Sequence, residues 1–205
     1  MSNVNVLIIE DEAIIAEDIR EMLNELGYDV LPIVHDSAKA IDFLSFHTPD
    51  LVLCDINIKG DKDGIEVASL IGKKKRIPFV FLTSLSDRHT VARAREVLPY
   101  GYIVKPFDKR DLLTNIEMAL FKFGKEIEDK EINQKKVEQI SNDKLTPQEY
   151  RILKEMVAGL NNSQIADTLD ITMNTLKYHL KNLFGKMEVS NRAGLLQKLL
   201  ALVTQ

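Results

Sequence analysis

A second cysteine is missing from this chain. Cys54 stands alone among 205 residues, which excludes an internal disulfide and fits a reducing compartment. Long hydrophobic runs are missing as well. The amino-terminal run "VNVLII" (4 to 9) meets Glu10-Asp11-Glu12 at once, so it is too short for a signal-peptide core or a membrane span. A cytoplasmic location with no membrane partner is expected. Strong charge of one sign is also lacking, the net value being -4. What is present is ordinary for a folded protein: 45% hydrophobic and 28% charged residues, in a chain of about a domain and a half.

The charge is unevenly spread. Residues 1–121 hold 14 Lys and Arg against 20 Asp and Glu, residues 122–144 hold 6 of each, and residues 145–205 hold 7 against 5. The acidic part and the mildly basic part are expected to meet different partners.

In the first part, β-type runs at 4–9, 28–34, 51–54, 79–82 and 102–104 alternate with amphipathic stretches. Ile15, Ile19, Met22, Leu23 and Leu26 show the helical spacing of the first such stretch. Strand, helix, strand at these intervals predicts an α/β fold, a doubly wound five-stranded parallel sheet with right-handed crossovers. Of the five runs, that at 28–34 carries a proline, Pro32, which belongs at a sheet edge and suits the strand order 2-1-3-4-5.

Each run ends in chemistry. Glu10-Asp11-Glu12 closes the first, Asp55 the third, Thr83-Ser84 the fourth and Lys105-Pro106 the fifth. The carboxyl ends of strands in an open parallel sheet form the ligand crevice, so these groups converge there. Asp55, which breaks the apolar run "LVLC", is expected at the mouth of its strand rather than within it. A carboxylate cluster without nearby histidine or thiol ligands suits a hard cation such as Mg²⁺. An aspartate can accept a phosphoryl group as an aspartyl phosphate, with Lys105 pairing its charge and the Thr83 hydroxyl bonding an oxygen. Taken singly, Asp55 would read as a turn or cap residue, Cys54 as a small buried hydrophobe, and Lys73-Lys74-Lys75-Arg76 as a solvated turn after a helix. The ordering of four strand ends overrides the bland reading of Asp55.

With Glu10-Asp11, Asp55, Asp63-Gly64, Thr83, Tyr102 and Lys105-Pro106-Phe107 in place, residues 4–121 resemble the receiver domain of two-component response regulators. The resemblance implies a histidine kinase as phosphoryl donor and a Mg²⁺ site made by Glu10, Asp11, Asp55 and the Asn57 carbonyl. It further implies a switch in which Thr83 and Tyr102 move together. Ser84 departs from the alanine usual in the family after the switch threonine, which bears on the lifetime of the phosphoryl group.

The second part reads as four short helices. Thr146-Pro147-Gln148-Glu149 is a capping box with proline at the first helical position, and Gly159 is a stop. A short helix from about Ser163 to Leu169, a turn at Asp170-Ile171 and a longer helix capped by Thr172 make a helix-turn-helix. In the longer helix Leu176, Leu180, Leu183, Phe184 and Met187 form the core stripe. Asn174, Lys177, Tyr178 and Lys181 lie opposite, with the donors and apolar surface that a major-groove reader uses. Residues 145–203 resemble the DNA-binding domain of LuxR/NarL (GerE-type) regulators, on "LTPQEYRIL", "GLNNSQIADTLDIT" and "NTLKYHLKNLFGKMEVSNR". That resemblance assigns Lys177, Tyr178 and Lys181 to double-stranded DNA, adds Thr175 and Asn182 as flanking contacts, and leaves His179 structural. It also makes the last helix, with Leu195, Leu196, Leu199, Leu200, Leu202 and Val203, the homodimer contact.

The expected organisation is therefore a receiver at 1–121, a partly helical linker at 122–144 and a DNA-binding domain at 145–205. Ile116, Leu120, Phe123 and Ile127 continue a helical stripe towards a coiled coil, while the rest of the linker reads as a mobile tether. The chain reads as a regulator rather than an enzyme. Two alternatives stand beside it: an output domain for protein contact, and an aspartyl-phosphate hydrolase of the haloacid dehalogenase type. The latter wants an Asp where Asn57 stands.

Overall fold

The structure, a computed structural model, describes residues 4–72, 75–84, 88–128 and 134–202. Five strands, β1 (Asn5–Ile9), β2 (Asp29–Val30), β3 (Leu51–Asp55), β4 (Phe79–Thr83) and β5 (Gly101–Val104), form one parallel sheet in the order β2-β1-β3-β4-β5. Helices α1 (Ala13–Glu25), α2 (Ser37–Phe46), α3 (Gly64–Gly72), α4 (Arg88–Glu96) and α5 (Lys109–Glu128) follow the strands in turn. The expected topology is the one observed.

β3 is buried at every position, as a central strand between two helical layers must be. One face carries Leu7, Ile9, Val52, Cys54, Phe79 and Phe81 into a core closed by Ala40, Leu44, Ile65, Ala68 and Ile71 of α2 and α3. Alternation sends Ile8, Leu53, Val80 and Leu82 to the other side, where they too are buried. The edge strand is shorter than the run at 28–34 predicts: two residues pair in the ladder, and an isolated bridge joins Ile9 to Val34. Leu31 and Val34 still donate to the carbonyls of Val6 and Ile8, each at 3.0 Å. Pro32, with no N–H to give, interrupts the ladder between them.

The chain divides into two compact units, Asn5–Ala119 and a second built from Leu120 onward. In the second, α6 (Gln134–Ile140), α7 (Pro147–Val157), α8 (Asn162–Thr168), α9 (Met173–Lys186) and α10 (Arg192–Leu202) join the end of α5. The capping box of α7 forms as read, with Thr146 accepting from Glu149 N and Glu149 accepting from Thr146 N. Gly159 sits at φ +92° past the end of that helix, where a residue with a Cβ is strained.

Three sequence expectations need correction. The stretch read as a mobile tether is structured where it is described. Residues 129–133 lie outside the described residues, but α6 packs on α10 and buries Val137 completely. Asn142 then donates to the Lys186 carbonyl at 2.9 Å and Lys186 returns a bond to the Lys144 carbonyl at 2.8 Å. The α5 stripe Ile116, Leu120, Phe123 and Ile127 is buried within the single chain, so it is not an open coiled-coil seam. The apolar surplus of α10 is likewise largely consumed at home: Leu195, Leu196, Leu199 and Leu200 are buried and Leu202 is half-buried. Val203 lies outside the described residues. Among the described residues no helix is long and apolar enough to cross a membrane.

Candidate functional site: an acid pocket and an exposed helix face

The parallel registers Ile9 with Cys54, Asp55 with Leu82, and Thr83 with Val104 align the ends of four strands. Glu10, Asp55, Thr83 and Lys105 are therefore brought to one rim. Ligand oxygens of Glu10, Asp11 and Asp55 lie within 4.8 Å of one another. Asp55 is the last residue of β3 and is buried, at 6% exposure. It is at the mouth of its strand yet well shielded from solvent.

Lys105 reconciles that burial with charge. Its Nζ donates to Asp55 Oδ2 at 2.5 Å and to Glu10 Oε2 at 2.7 Å. Burial alone would lower the Lys105 pKa, but the bonds it donates to Asp55 and Glu10 outweigh it and hold the ammonium above its ordinary value. Glu10 is fully buried, and that burial pushes its carboxyl up against the opposing pull of Lys105. The other Asp55 oxygen, Oδ1, accepts from Asn57 N at 3.1 Å. Asn57 thus touches the site through its amide.

The acids fit a hard divalent cation. Three carboxylates face two ammonium groups, since Lys59 Nζ stands 3.4 Å from Asp11 Oδ2. One formal negative charge is left over, and every candidate ligand atom is oxygen, the donor that Mg²⁺ prefers.

Thr83 ends β4 and is buried, at 8% exposure. Tyr102 packs on Phe81 with ring centroids 6.0 Å apart. Its hydroxyl is buried without a hydrogen-bond partner among the described residues, and burial raises its pKa. Cys54 is the buried hydrophobe it resembles: burial, then the neighbouring Asp55 charge, pushes its thiol well up and away from reactivity.

Three contacts at or near the rim, and a fourth at the opposite end of the sheet, escape sequence reading. His35 Nδ1 lies 2.7 Å from the Glu10 carbonyl. Arg93 of α4 pairs with Asp63 at 2.6 Å, while Asp63 also accepts from Glu66 N at 2.9 Å to cap α3. Lys59 meets Asp11. Lys75, read as part of a solvated turn, instead gives three bonds of 2.8, 3.2 and 3.1 Å to the carbonyls of Leu44, Ser45 and His47 at the end of α2. Lys73 and Lys74 lie outside the described residues. Each of these partners is distant in sequence, so no local pattern announces them.

The second unit presents α9. Leu176, Leu180, Leu183, Phe184 and Met187 are buried as read. Asn174, Thr175, Lys177, Tyr178 and Lys181 are exposed along the opposite face, Asn182 and His179 half-buried at its margins. Tyr178 is 64% exposed and meets the His179 ring edge-on. Thr172 caps the helix by accepting from Thr175 N at 3.2 Å, and the two hydroxyls are 2.9 Å apart. Thr175 is thus tied into the cap. Asp170, at φ +51°, makes the turn between α8 and α9.

Comparison with known proteins finds the same two parts. Residues 6–117 match the response regulator receiver domain family, and residues 143–199 match the luxR family of bacterial regulatory proteins. The transcriptional regulatory protein PdtaR of Mycobacterium tuberculosis is 43% identical over 118 residues, which is 58% of this chain and 57% of that protein. The nitrate/nitrite response regulator protein NarP of Escherichia coli is 28% identical over 196 residues, covering 91% of this chain and 90% of that one. Among solved structures, the signal receiver domain of a modulated diguanylate cyclase from Desulfovibrio desulfuricans is 37% identical with a TM-score of 0.56, over 60% of this chain and 96% of that one.

Proposed function

We propose a phosphorylation-switched transcription regulator, from the premise that this chain belongs to the response regulator family and joins a receiver domain to a luxR-type helix-turn-helix domain. The observation that carries the reading is the convergence of Glu10, Asp11, Asp55 and Lys105 on one rim. In this reading Asp55 is the phosphoacceptor. An Asp55 oxygen attacks the phosphorus of a histidine kinase's phosphohistidine, the P–N bond breaks, the imidazole leaves with the bonding pair, and an acyl phosphate remains on Asp55. Mg²⁺, when bound, would neutralise phosphoryl charge; Glu10, Asp11, Asp55 and the Asn57 carbonyl are the candidates to hold it. Lys105 turns its ammonium from the carboxylate to the added phosphoryl oxygens. The Thr83 hydroxyl donates to another, and Tyr102 follows it.

The output is DNA binding through Lys177, Tyr178 and Lys181, with Asn174, Thr175 and Asn182 flanking. A phosphoryl group adds about -1.5 to -2 charges, which cannot itself favour a polyanion. Its effect must pass through a conformational change, and homodimerisation on paired half-sites is the proposed route. Asn57, standing where a hydrolase would need its acid, disfavours the enzyme reading.

The test is intact mass after incubation with acetyl phosphate and Mg²⁺, alongside binding to duplex DNA. The wild type should gain an acid-labile phosphoryl adduct and Asp55→Asn should not. Lys181→Ala should weaken DNA binding and reduce the salt slope by about 0.9 for the lost phosphate contact. An Asp55→Asn protein that labels at the wild-type rate would overturn the phosphoacceptor assignment, and an unchanged salt slope the assigned groove face.

A further inference from the structure

Lys59 is not part of any strand end, yet its ammonium is delivered to the acid pocket. The side chain is 73% exposed while its partner Asp11 is only 16% exposed. Exposed pairs are weak when both partners are free to wander. Here the backbone beneath Lys59 is anchored. Its carbonyl accepts from Ser37 N at 2.9 Å, and Lys59 forms an isolated parallel bridge with Asp36. Asp36 in turn caps α2 by accepting from Lys39 N at 2.8 Å. The next residue, Gly60, has φ +117°, and a Cβ there would lie 2.2 Å from the Ser37 hydroxyl. That hydroxyl is buried and accepts from Lys62 N at 3.4 Å. The loop after β3 is thus stitched to the start of α2 in a conformation that needs glycine, and the stitch aims Lys59 at Asp11.

Lys105 neutralises Glu10 and Asp55 from one side of the pocket, so Asp11 is the acid left for Lys59. A divalent cation entering among the three acids must take the same Asp11 carboxylate, and would sit within a few ångströms of an ammonium of like sign. We propose that Lys59 is a resident counter-ion of Asp11 that the divalent cation must displace, so that this loop sets the affinity of the pocket for Mg²⁺. The proposal rests on the reading of Glu10, Asp11 and Asp55 as the cation site. Lys59 is a positioning residue here, acting through Asp11, and lysine at this place weakens the cation without blocking it.

Calorimetric titration of the full chain with magnesium chloride tests this without any phosphoryl transfer. Lys59→Met, which keeps length and removes charge, should bind Mg²⁺ about 2- to 5-fold more tightly than wild type at low ionic strength. That gap should close as added salt shortens the Debye length. Lys59→Arg should restore the wild-type affinity. Lys39→Met, which removes the same charge from the exposed pair with Asp36, should leave it unchanged. Equal affinities for wild type and Lys59→Met would overturn the proposal, and so would an equal shift in Lys39→Met, which would mark a bulk-charge effect. Failure of the underlying site looks different: a wild type without Mg²⁺ binding, or an Asp11→Asn variant that binds as wild type does, would remove the cation site and the counter-ion with it.

Discussion

Lys105 and Asp55, fifty residues apart in sequence, meet at 2.5 Å across the rim of the sheet. The pair is nearly buried, with side-chain exposures of 15% and 8%, and Glu10 closes it on the other side. An ammonium there offsets two carboxylates at rest, and in the proposed function it also meets the charge that develops on phosphoryl transfer. Lys105→Met is expected to slow labelling of Asp55 by acetyl phosphate about 10²-fold, the scale seen when one preorganised donor is removed. Intact mass against time measures it; a rate within twofold of wild type would deny Lys105 any role in the transfer.

Tyr102 gives a prediction of opposite sense. Its hydroxyl is buried without a hydrogen-bond partner among the described residues, which costs free energy in the resting state. Tyr102→Phe should therefore leave the resting fold unharmed or stabilise it by about 1 kcal/mol, with labelling of Asp55 unaffected and the phosphorylation-dependent gain in DNA binding reduced. Urea unfolding and DNA titration with and without phosphodonor separate these effects. Marked destabilisation would mean that the hydroxyl has a partner after all.

Gly124 lies inside α5, where alanine is favoured by about 1 kcal/mol on propensity alone. Packing argues the other way. A Cβ at Gly124 would fall 1.6 Å from the Val157 carbonyl oxygen at the end of α7, and one at Gly159 2.9 Å from Phe121 N. Backbone cannot yield as a flexible side chain can, so Gly124→Ala should release the end of α5 from α7 within the second unit. Hydrogen exchange should quicken in the amides of residues 120–127 and 153–158. Unchanged protection would show that the contact tolerates a methyl group.

Glu149 links helix capping to pH. Only 2% exposed, it accepts from Thr146 N at 2.8 Å and from Lys186 Nζ at 2.9 Å. Burial pulls its carboxyl up, but the Thr146 and Lys186 bonds outweigh that and hold it below the ordinary carboxylate value of 4.5. A depressed carboxylate contributes stability that is present above its unfolded pKa and lost as pH falls through the folded one. Glu149→Gln should cost about 1–3 kcal/mol near neutrality. The deficit should shrink below about pH 4.5, where wild type loses the same charge. Melting of the full chain across that range checks it; a deficit independent of pH would locate the cost in the amide's packing instead.

Much of this molecule is written locally. Continuous apolar β-type runs, the 3.6-residue stripe of Leu176, Leu180, Leu183, Phe184 and Met187, and the capping box at Thr146–Glu149 depend on neighbours within a few residues. The edge place of the run at 28–34 rested on one more local fact, that Pro32 does not suit a central strand. The acid rim was legible because in an open parallel sheet each strand must present its carboxyl end on the same side, so residues after each run converge whatever the helices between them do. Tertiary structure alone decided the rest. Lys75 on the end of α2, Arg93 on Asp63 and Lys59 on Asp11 join residues 28 to 48 positions apart whose identities, lysine or arginine beside acid or carbonyl, are common on any surface. The fate of α10 was hidden for the same reason. An apolar stripe states that something covers it, and only the path of the chain shows that α6 lies there.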